Sequence, residues 1–218
     1  PVRGNLWTDH MDEQIPFMNY AVWAEEIGDS RARVLKARYY GEITYIDDSI
    51  GRILDAVDEN TVICFFTDHG DHLGDHHAWQ KETFFEAACH IPFLVSWPGR
   101  LRAGERRAEL AGLTDLFGIA TTAAGSPQMR EGVDLLGGIE DRAPHRERFF
   151  GYYGNPGTPL FKVMVRSGPW KYIYMANGGR EQLFHLGKDP AELSNLAGAR
   201  EETAQLRAHA AVACNRTG

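Results

Sequence analysis

Three Asp, four His and one Lys fall within the fourteen residues from Asp68 to Lys81. Carboxylates and imidazoles at this density can ligate a divalent cation, and a lysine at fixed distance can meet an anion. The segment is introduced by an apolar run, Val62-Ile63-Cys64-Phe65-Phe66, and stops at Thr67-Asp68-His69-Gly70. A run of that length and composition predicts a buried strand. Its polar end would open into the crevice beyond a sheet's carboxyl edge, where open α/β sheets hold their ligands. Gly70 and Gly74 are expected to let the backbone turn tightly. A polar cluster after a strand is most often only a solvated loop; the strand lead-in, the glycines and the spaced lysine together favour a metal or anion site.

The elements that must position this loop can be read on either side. Tyr39, Ile43, Ile46, Ile50, Ile53 and Val57 are spaced 4, 3, 4, 3, 4, which predicts a helix over 34–58 with one apolar stripe covering a sheet face. The consecutive Asp47 and Asp48 point about 100° apart on such a helix and are expected to be solvated. After the loop, Glu82 to Ala88 has short helical character, and Ile91 to Trp97 reads as a second buried strand stopped by Pro98-Gly99. Arg100 to Glu109 reads as a charged turn leading into a strand or edge. Thr114 to Ala120 predicts a helix with Thr114 as N-cap, closed near Gly125-Ser126-Pro127. Strand, helix, strand, helix in this order predicts an α/β sheet with crossover connections.

Composition changes between about 125 and 147, where Gly, Pro and mixed charge mark a boundary. Beyond it lie four short aromatic and β-branched runs, around 148–153, 161–166, 170–175 and 181–186. Turn signals at Asn155-Pro156-Gly157, Ser167-Gly168-Pro169 and Asn177-Gly178-Gly179 separate them. They predict a small antiparallel sheet of three or four strands, closed by an amphipathic helix over Glu201 to Val212. The reading thus divides the chain into 1–145 and 146–218.

Composition excludes several classes of function. The chain has 218 residues, 43% of them hydrophobic, and a formal net charge of −7. This is an ordinary globular composition without the basic stripe of a nucleic-acid binder. No apolar run approaches the roughly 18 residues needed to span a bilayer, and no targeting segment is evident, so the compartment stays open. Cys64, Cys89 and Cys214 are widely spaced and read as buried free thiols rather than a disulfide framework. Residues 1 to about 30 read as a long surface connection with at most a helical turn near Ala21 to Ile27. His10 with Asp9 and Asp12 is metal-capable but has no element to hold it. Asn215-Arg216-Thr217 is a formal glycosylation sequon, expected by chance in a chain of this length.

Thr67-Asp68-His69-Gly70, Leu73-Gly74-Asp75-His76 and Trp79-x-Lys81, followed by Phe84 to Val95 and Trp97-Pro98-Gly99, together resemble the C-terminal metal segment of the sulfatase family. The ordering holds without a gap over more than thirty residues. Tyr40 to Val57 and Glu181 to Ala197 are similar to further parts of that family, so the resemblance covers about 35–200. It implies the C-terminal part of an alkaline-phosphatase-like α/β mixed sheet with covering helices, followed by a small antiparallel-sheet subdomain with a closing helix. It also implies that Asp68 and His69 are two ligands of one divalent cation and that Lys81 faces the sulfate as a catalytic group. His76 is a second candidate substrate contact or proton donor, with a loop-surface histidine as the alternative. His72, His77 and His90 are expected to be structural. Oxygen ligation with one imidazole suits Ca²⁺, with Mg²⁺ or Mn²⁺ as alternatives, better than Zn²⁺. The aromatics Trp79, Tyr152, Tyr153 and Trp170 are more often core than pocket wall.

The resemblance further implies a nucleophile, a Cys or Ser converted to formylglycine within a C/S-x-P-x-R segment, and paired aspartates upstream. The expectation is that this chain carries neither. Cys64 is followed by Phe-Phe-Thr, Cys89 by His-Ile-Pro, Cys214 by Asn-Arg-Thr, and Ser126-Pro127 lacks the spacing. The chain is therefore expected to be inactive alone, with formylglycine confined to a missing N-terminal part of the same fold. The strand at Val62 to Phe66 would then be an unpaired edge prone to self-association. The substrate implied is a small-molecule or glycan sulfate ester. The alternatives are a phosphonate monoester or phosphodiester hydrolase on the same scaffold, or a degenerate non-catalytic copy.

Overall fold

The computed structural model describes residues 27–198 and 200–214. The chain divides into two compact units, one running to Leu101 and taking in Ala191–Leu193, the other comprising Arg102–Pro190 and Ser194 onward. The expectations for His10 with Asp9 and Asp12, for most of the turn near Ala21 to Ile27 and for the sequon at Asn215 lie outside the described residues.

In the first unit, α1 spans Asp29–Leu54. It starts five residues before the predicted helix and stops three before Val57. The early stop has a local cause: Asp58 Oδ1 accepts from the Asn60 backbone N–H and from the Thr61 hydroxyl, an Asx-type turn that draws the chain out of the helix. Asp47 and Asp48 are exposed, as expected. The apolar stripe is exposed too, with Ile43 at 49%, Ile46 at 52% and Ile53 at 64%. The sequence pattern specified a face for burial that nothing among the described residues buries.

Two strands follow, β1 (Ile63–Phe66) and β2 (Phe93–Ser96). They pair antiparallel, Ile63 against Ser96 through Phe66 against Phe93, so the predicted crossover connection is not formed here. The helix between them, α2 (Glu86–Cys89), is a single turn, too short to carry a crossover on its own. Pairing with β2 gives β1 a neighbour on one side and, among the described residues, leaves its other edge unpaired. Neither strand is fully buried: Phe65, Phe66 and Leu94 are exposed.

The second unit opens with a loop over 102–112, where the sequence suggested a strand or edge. A 3₁₀ turn at Leu113–Asp115 leads into α3 (Leu116–Ala123). Thr114 is not the cap. Asp115 takes that position, its Oδ2 accepting the Gly112 N–H at 2.8 Å across the preceding 3₁₀ turn, and α3 closes at Gly125 in the left-handed region as predicted. Within the expected boundary stretch lies a helix not foreseen, α4 (Leu135–Ile139), whose N-cap Asp134 accepts from Gly137 N–H.

Asp115 ties this region together. Its wholly buried carboxylate receives the Arg146 guanidinium through two bonds of 2.9 and 2.6 Å, the Gly112 N–H, and the Val133 N–H at 2.9 Å. Arg146 also donates to the Leu110 carbonyl. The fork geometry of arginine suits such bidentate pairing.

The four aromatic runs form β3 (Arg148–Tyr153), β4 (Lys162–Ser167), β5 (Trp170–Met175) and β6 (Arg180–His185), an antiparallel meander in that order. One cross-strand row, Phe150–Val165–Tyr172–Leu183, traverses all four strands. Such rows are the unit of sheet stability, and burying Val165 or Leu183 contributes about 1.5–3 kcal/mol each. The closing helix α5 (Glu201–Cys214) presents Leu206 and Ala210, one turn apart, to this row.

The helix is pinned by charge as well. Arg207 donates to both Glu181 oxygens at 2.6 and 2.7 Å, and the Tyr172 hydroxyl donates to Glu181 Oε1 at 2.5 Å. The Arg207 guanidinium, more than the Tyr172 hydroxyl, holds the Glu181 carboxyl below its ordinary range, with burial opposing them. A carboxyl lowered in the folded state adds stability above its unfolded value, which is lost as pH falls through the folded one. In thermal melts, the native protein should therefore exceed Glu181→Gln in melting temperature at neutral pH. The gap should close below about pH 4.5; a gap constant from pH 7 to pH 3 would contradict this.

The three cysteines are free and half-buried. Among the described residues, no helix is long and apolar enough to cross a membrane.

Candidate active site

The strand β1 delivers the chain to Thr67, and the next three residues carry the chemistry. The Asp68 side chain accepts from the His69 backbone N–H at 3.1 Å. His69 Nδ1 lies 2.8 Å from the Gly70 carbonyl oxygen. A carbonyl can only accept, so Nδ1 carries the proton and Nε2 is left with its lone pair outward. Lys81 Nζ sits 2.5 Å from that Nε2, and Asp68 Oδ2 lies 3.4 Å from it. Asp68, His69 and Lys81, the three residues that the resemblance implied, thus meet at His69 Nε2 across the loop.

Several clamps bring Lys81 back to His69. Asp71 Oδ1 accepts from Leu73 N–H at 2.8 Å and from Gln80 N–H at 3.3 Å, while His72 N–H donates to the Gln80 carbonyl. His72 Nε2 meets the Thr83 hydroxyl at 2.7 Å in the interior, and Thr83 in turn accepts from Phe85 N–H. The loop is strained: Leu73, His76, His77 and Gln80 all have positive φ. Such angles are uncommon outside glycine and persist where surroundings over-determine them.

The two glycines do different things. Gly74 has a φ of 94° and supplies the turn, as expected. Gly70 supplies room: its N–H donates to Ala88 O at 2.8 Å, and a Cβ there would lie 2.1 Å from Ala87 O.

Burial pushes the Asp71 carboxyl above its ordinary value, against the pull of its two backbone N–H donors. Burial, then the Asp71 charge, also raises the Tyr39 phenol.

His76 is buried at 5% exposure, its ring stacked on Phe85 at 4.0 Å, so it is not the loop-surface histidine of the alternative reading. His72 is buried in the clamp, as a structural histidine should be. His90 is exposed and 3.0 Å from Glu86. Asp71, Thr83 and Phe85 were not singled out from the sequence. Asp71 two residues before Leu73 is an Asx-turn signal, but the Thr83 and Phe85 contacts carry no local signature.

The nucleophile expectation needs one correction. Ser96-Trp97-Pro98-Gly99-Arg100 does fit C/S-x-P-x-R. Position removes it from this site. Ser96 ends β2 opposite Ile63, and the three strand steps from there to Phe66 span about 10 Å, with Asp68 and His69 further still.

Among the described residues, no three His, Cys, Asp or Glu side chains come together as a metal cluster. The donor set present nevertheless fits a divalent cation in part. Asp68 is mostly exposed and acceptor-only when ionised, His69 Nε2 faces outward, and a cationic ammonium already rests against it.

The chain is similar to known proteins along most of its length. Residues 14–126 match the sulfatase family model, and residues 74–213 match that of the N-sulphoglucosamine sulphohydrolase C-terminal region. An arylsulfatase of Clostridium perfringens is 31% identical over 92% of this chain and 44% of its own length. A solved phosphonate monoester hydrolase of Agrobacterium radiobacter superposes with a TM-score of 0.70 at 26% identity, over 85% of this chain and 42% of that one. A phosphonate monoester hydrolase from Silicibacter pomeroyi, at 21% identity, shares the fold with a TM-score of 0.76 over 99% of this chain and 50% of that one. The chain thus spans half or less of the length of each of these proteins. Members of the matched family are hydrolases that generally bind a divalent metal. With more than half of its residues within the sulfatase family model, this chain belongs to the sulfatase family of the alkaline-phosphatase-like superfamily.

Proposed function

We propose that the chain supplies part of the divalent-metal and sulfate site of a sulfuric ester hydrolase, and that alone it does not complete the reaction. The observation that carries this reading is the His69 imidazole, fixed through Nδ1 so that Nε2 meets the Lys81 ammonium, with the Asp68 carboxylate 3.4 Å from the same nitrogen. Asp68 and His69 would hold the cation, Ca²⁺ first among Ca²⁺, Mg²⁺ and Mn²⁺ given one carboxylate and one imidazole. When bound, such a cation supplies Lewis-acid neutralisation of the ester's anionic oxygens. Lys81 would stabilise the same oxygens as charge builds on the leaving group. The substrate class is a small-molecule or glycan sulfate ester.

The incompleteness is supported by three observations. Among the described residues no third ligand joins Asp68 and His69 at the loop, Ser96 lies at the wrong end of β2, and an apolar α1 face stands exposed. In this reading, residues 1–145 are the chain's share of the catalytic domain and 146–218 the small C-terminal subdomain. The remainder of the fold brings the nucleophile and further ligands and covers that face; without it the chain is prone to self-association.

A second reading, a phosphonate monoester or phosphodiester hydrolase, is favoured by the likeness to the Agrobacterium radiobacter enzyme. The purified chain should be raised in melting temperature by millimolar Ca²⁺, and Asp68→Ala should abolish the shift. The chain should turn over neither an aryl sulfate nor an aryl phosphonate faster than Lys81→Ala or Asp68→Ala controls. Turnover above those controls would refute the incomplete site, and its preferred ester would decide between the two readings. A native chain indifferent to Ca²⁺ would leave the degenerate copy.

A further inference from the structure

Lys81 and the cation that Asp68 and His69 would hold cannot occupy the same place. His69 Nδ1 donates to Gly70 O, so Nε2 offers its single lone pair to one partner. That partner is now the Lys81 ammonium at 2.5 Å. A divalent cation would sit about 2.0–2.6 Å from the same nitrogen, within the volume of the ammonium and repelled by it.

We propose that Lys81 is a built-in competitor for the metal: its ammonium caps His69 Nε2 until a cation or an anion draws it away. This rests on the assignment of Asp68 and His69 as ligands. The exchange requires only a side-chain swing. The backbone on either side of Lys81 is fixed, Gln80 by Asp71 and His72, Thr83 by His72. The lysine stem is exposed and has four flexible carbons.

Two consequences follow. Cation binding expels the ammonium from the imidazole and leaves it available to an anion. An anion that pairs with Lys81 removes the competitor, so anion and cation tighten each other's binding, reciprocally as linkage requires. The loop thereby favours joint loading of metal and anionic substrate over metal alone.

The test uses the whole chain, Mn²⁺ followed by electron paramagnetic resonance, and inorganic sulfate. In the metal-free protein, Lys81→Met should shift the His69 Nε2 nitrogen resonance while Nδ1 remains protonated; an unmoved resonance would overturn the contact. Lys81→Met should bind Mn²⁺ about five- to tenfold more tightly than the native chain, the scale of one charge-assisted hydrogen bond at a partly exposed site. Because losing a positive charge tightens cation binding at long range, the comparison belongs at about 0.5 M KCl, where that effect is screened. Sulfate should tighten Mn²⁺ binding in the native chain and much less in Lys81→Met. Equal Mn²⁺ affinity in the two proteins would overturn the competition alone. Binding to neither would overturn the ligand assignment and the competition with it.

Discussion

Replacing Asp115 by alanine is expected to destabilise the second unit by about 3–5 kcal/mol, the range for removing one partner of a buried ion pair. The carboxylate is wholly enclosed and serves four donors at once: two guanidinium nitrogens of Arg146 and the backbone N–H groups of Gly112 and Val133. Alanine would leave the Arg146 charge buried and unpaired, and two main-chain donors without their acceptor. The double variant Asp115→Ala with Arg146→Met should be less destabilised than Asp115→Ala alone, because it removes the stranded charge. Urea unfolding followed by Trp fluorescence would measure both. A double variant worse than the single by the full cost of Arg146→Met would show that the two side chains act independently.

The second large effect is expected at Gly70. Its φ is not in the left-handed region, so alanine is permitted by backbone angle and forbidden by space. The added carbon would come within 2.1 Å of the Ala87 carbonyl oxygen, a main-chain atom with no rotamer to yield. The loop must then separate from α2, losing the Gly70 N–H to Ala88 O bond. We expect a cost of about 2–4 kcal/mol from overpacking and the lost bond, together with loss of the Ca²⁺-dependent rise in melting temperature. Gly41 in α1 is the internal comparison. A Cβ there meets nothing within 4 Å, and Gly41→Ala should be neutral or stabilising. Retention of the Ca²⁺ shift in Gly70→Ala would show that the loop does not depend on this approach.

Much of the candidate site was legible because its chemistry is local in sequence. Residue type and spacing marked the cluster from Asp68 to Lys81, the family resemblance singled out Asp68, His69 and Lys81 within it, and the structure brings these three together. The four strands of the meander and the closing helix were legible for the same reason: each run is short, alternating and bounded by turn residues. What was not legible depends on distant partners. The antiparallel pairing of β1 with β2 is a matter of register between segments far apart in the chain. The hydrophobic pattern of α1 specifies which residues are suited to burial, and only the surrounding fold decides whether they are buried. Thr83 and Phe85 became part of the loop's support through contacts to His72 and His76 that no spacing rule encodes. Ser96 shows the converse: a pattern that fits letter by letter, placed by its strand where it cannot serve this loop.

The antiparallel pairing of β1 also bears on the order in which the polypeptide is made. The strands β3 to β6 each pair with the next along the chain, so every pairing can close soon after its second strand emerges, at small cost in loop entropy. The strand β1 has to wait for β2, thirty residues from Phe66 to Ser96. At about 5–20 residues per second that wait lasts roughly 1.5–6 s. Throughout it, the ribosome-bound chain presents Ile63 to Phe66 with open main-chain hydrogen bonds and exposed phenyl rings. That interval is a window for chaperone capture or for pairing with a neighbouring nascent chain.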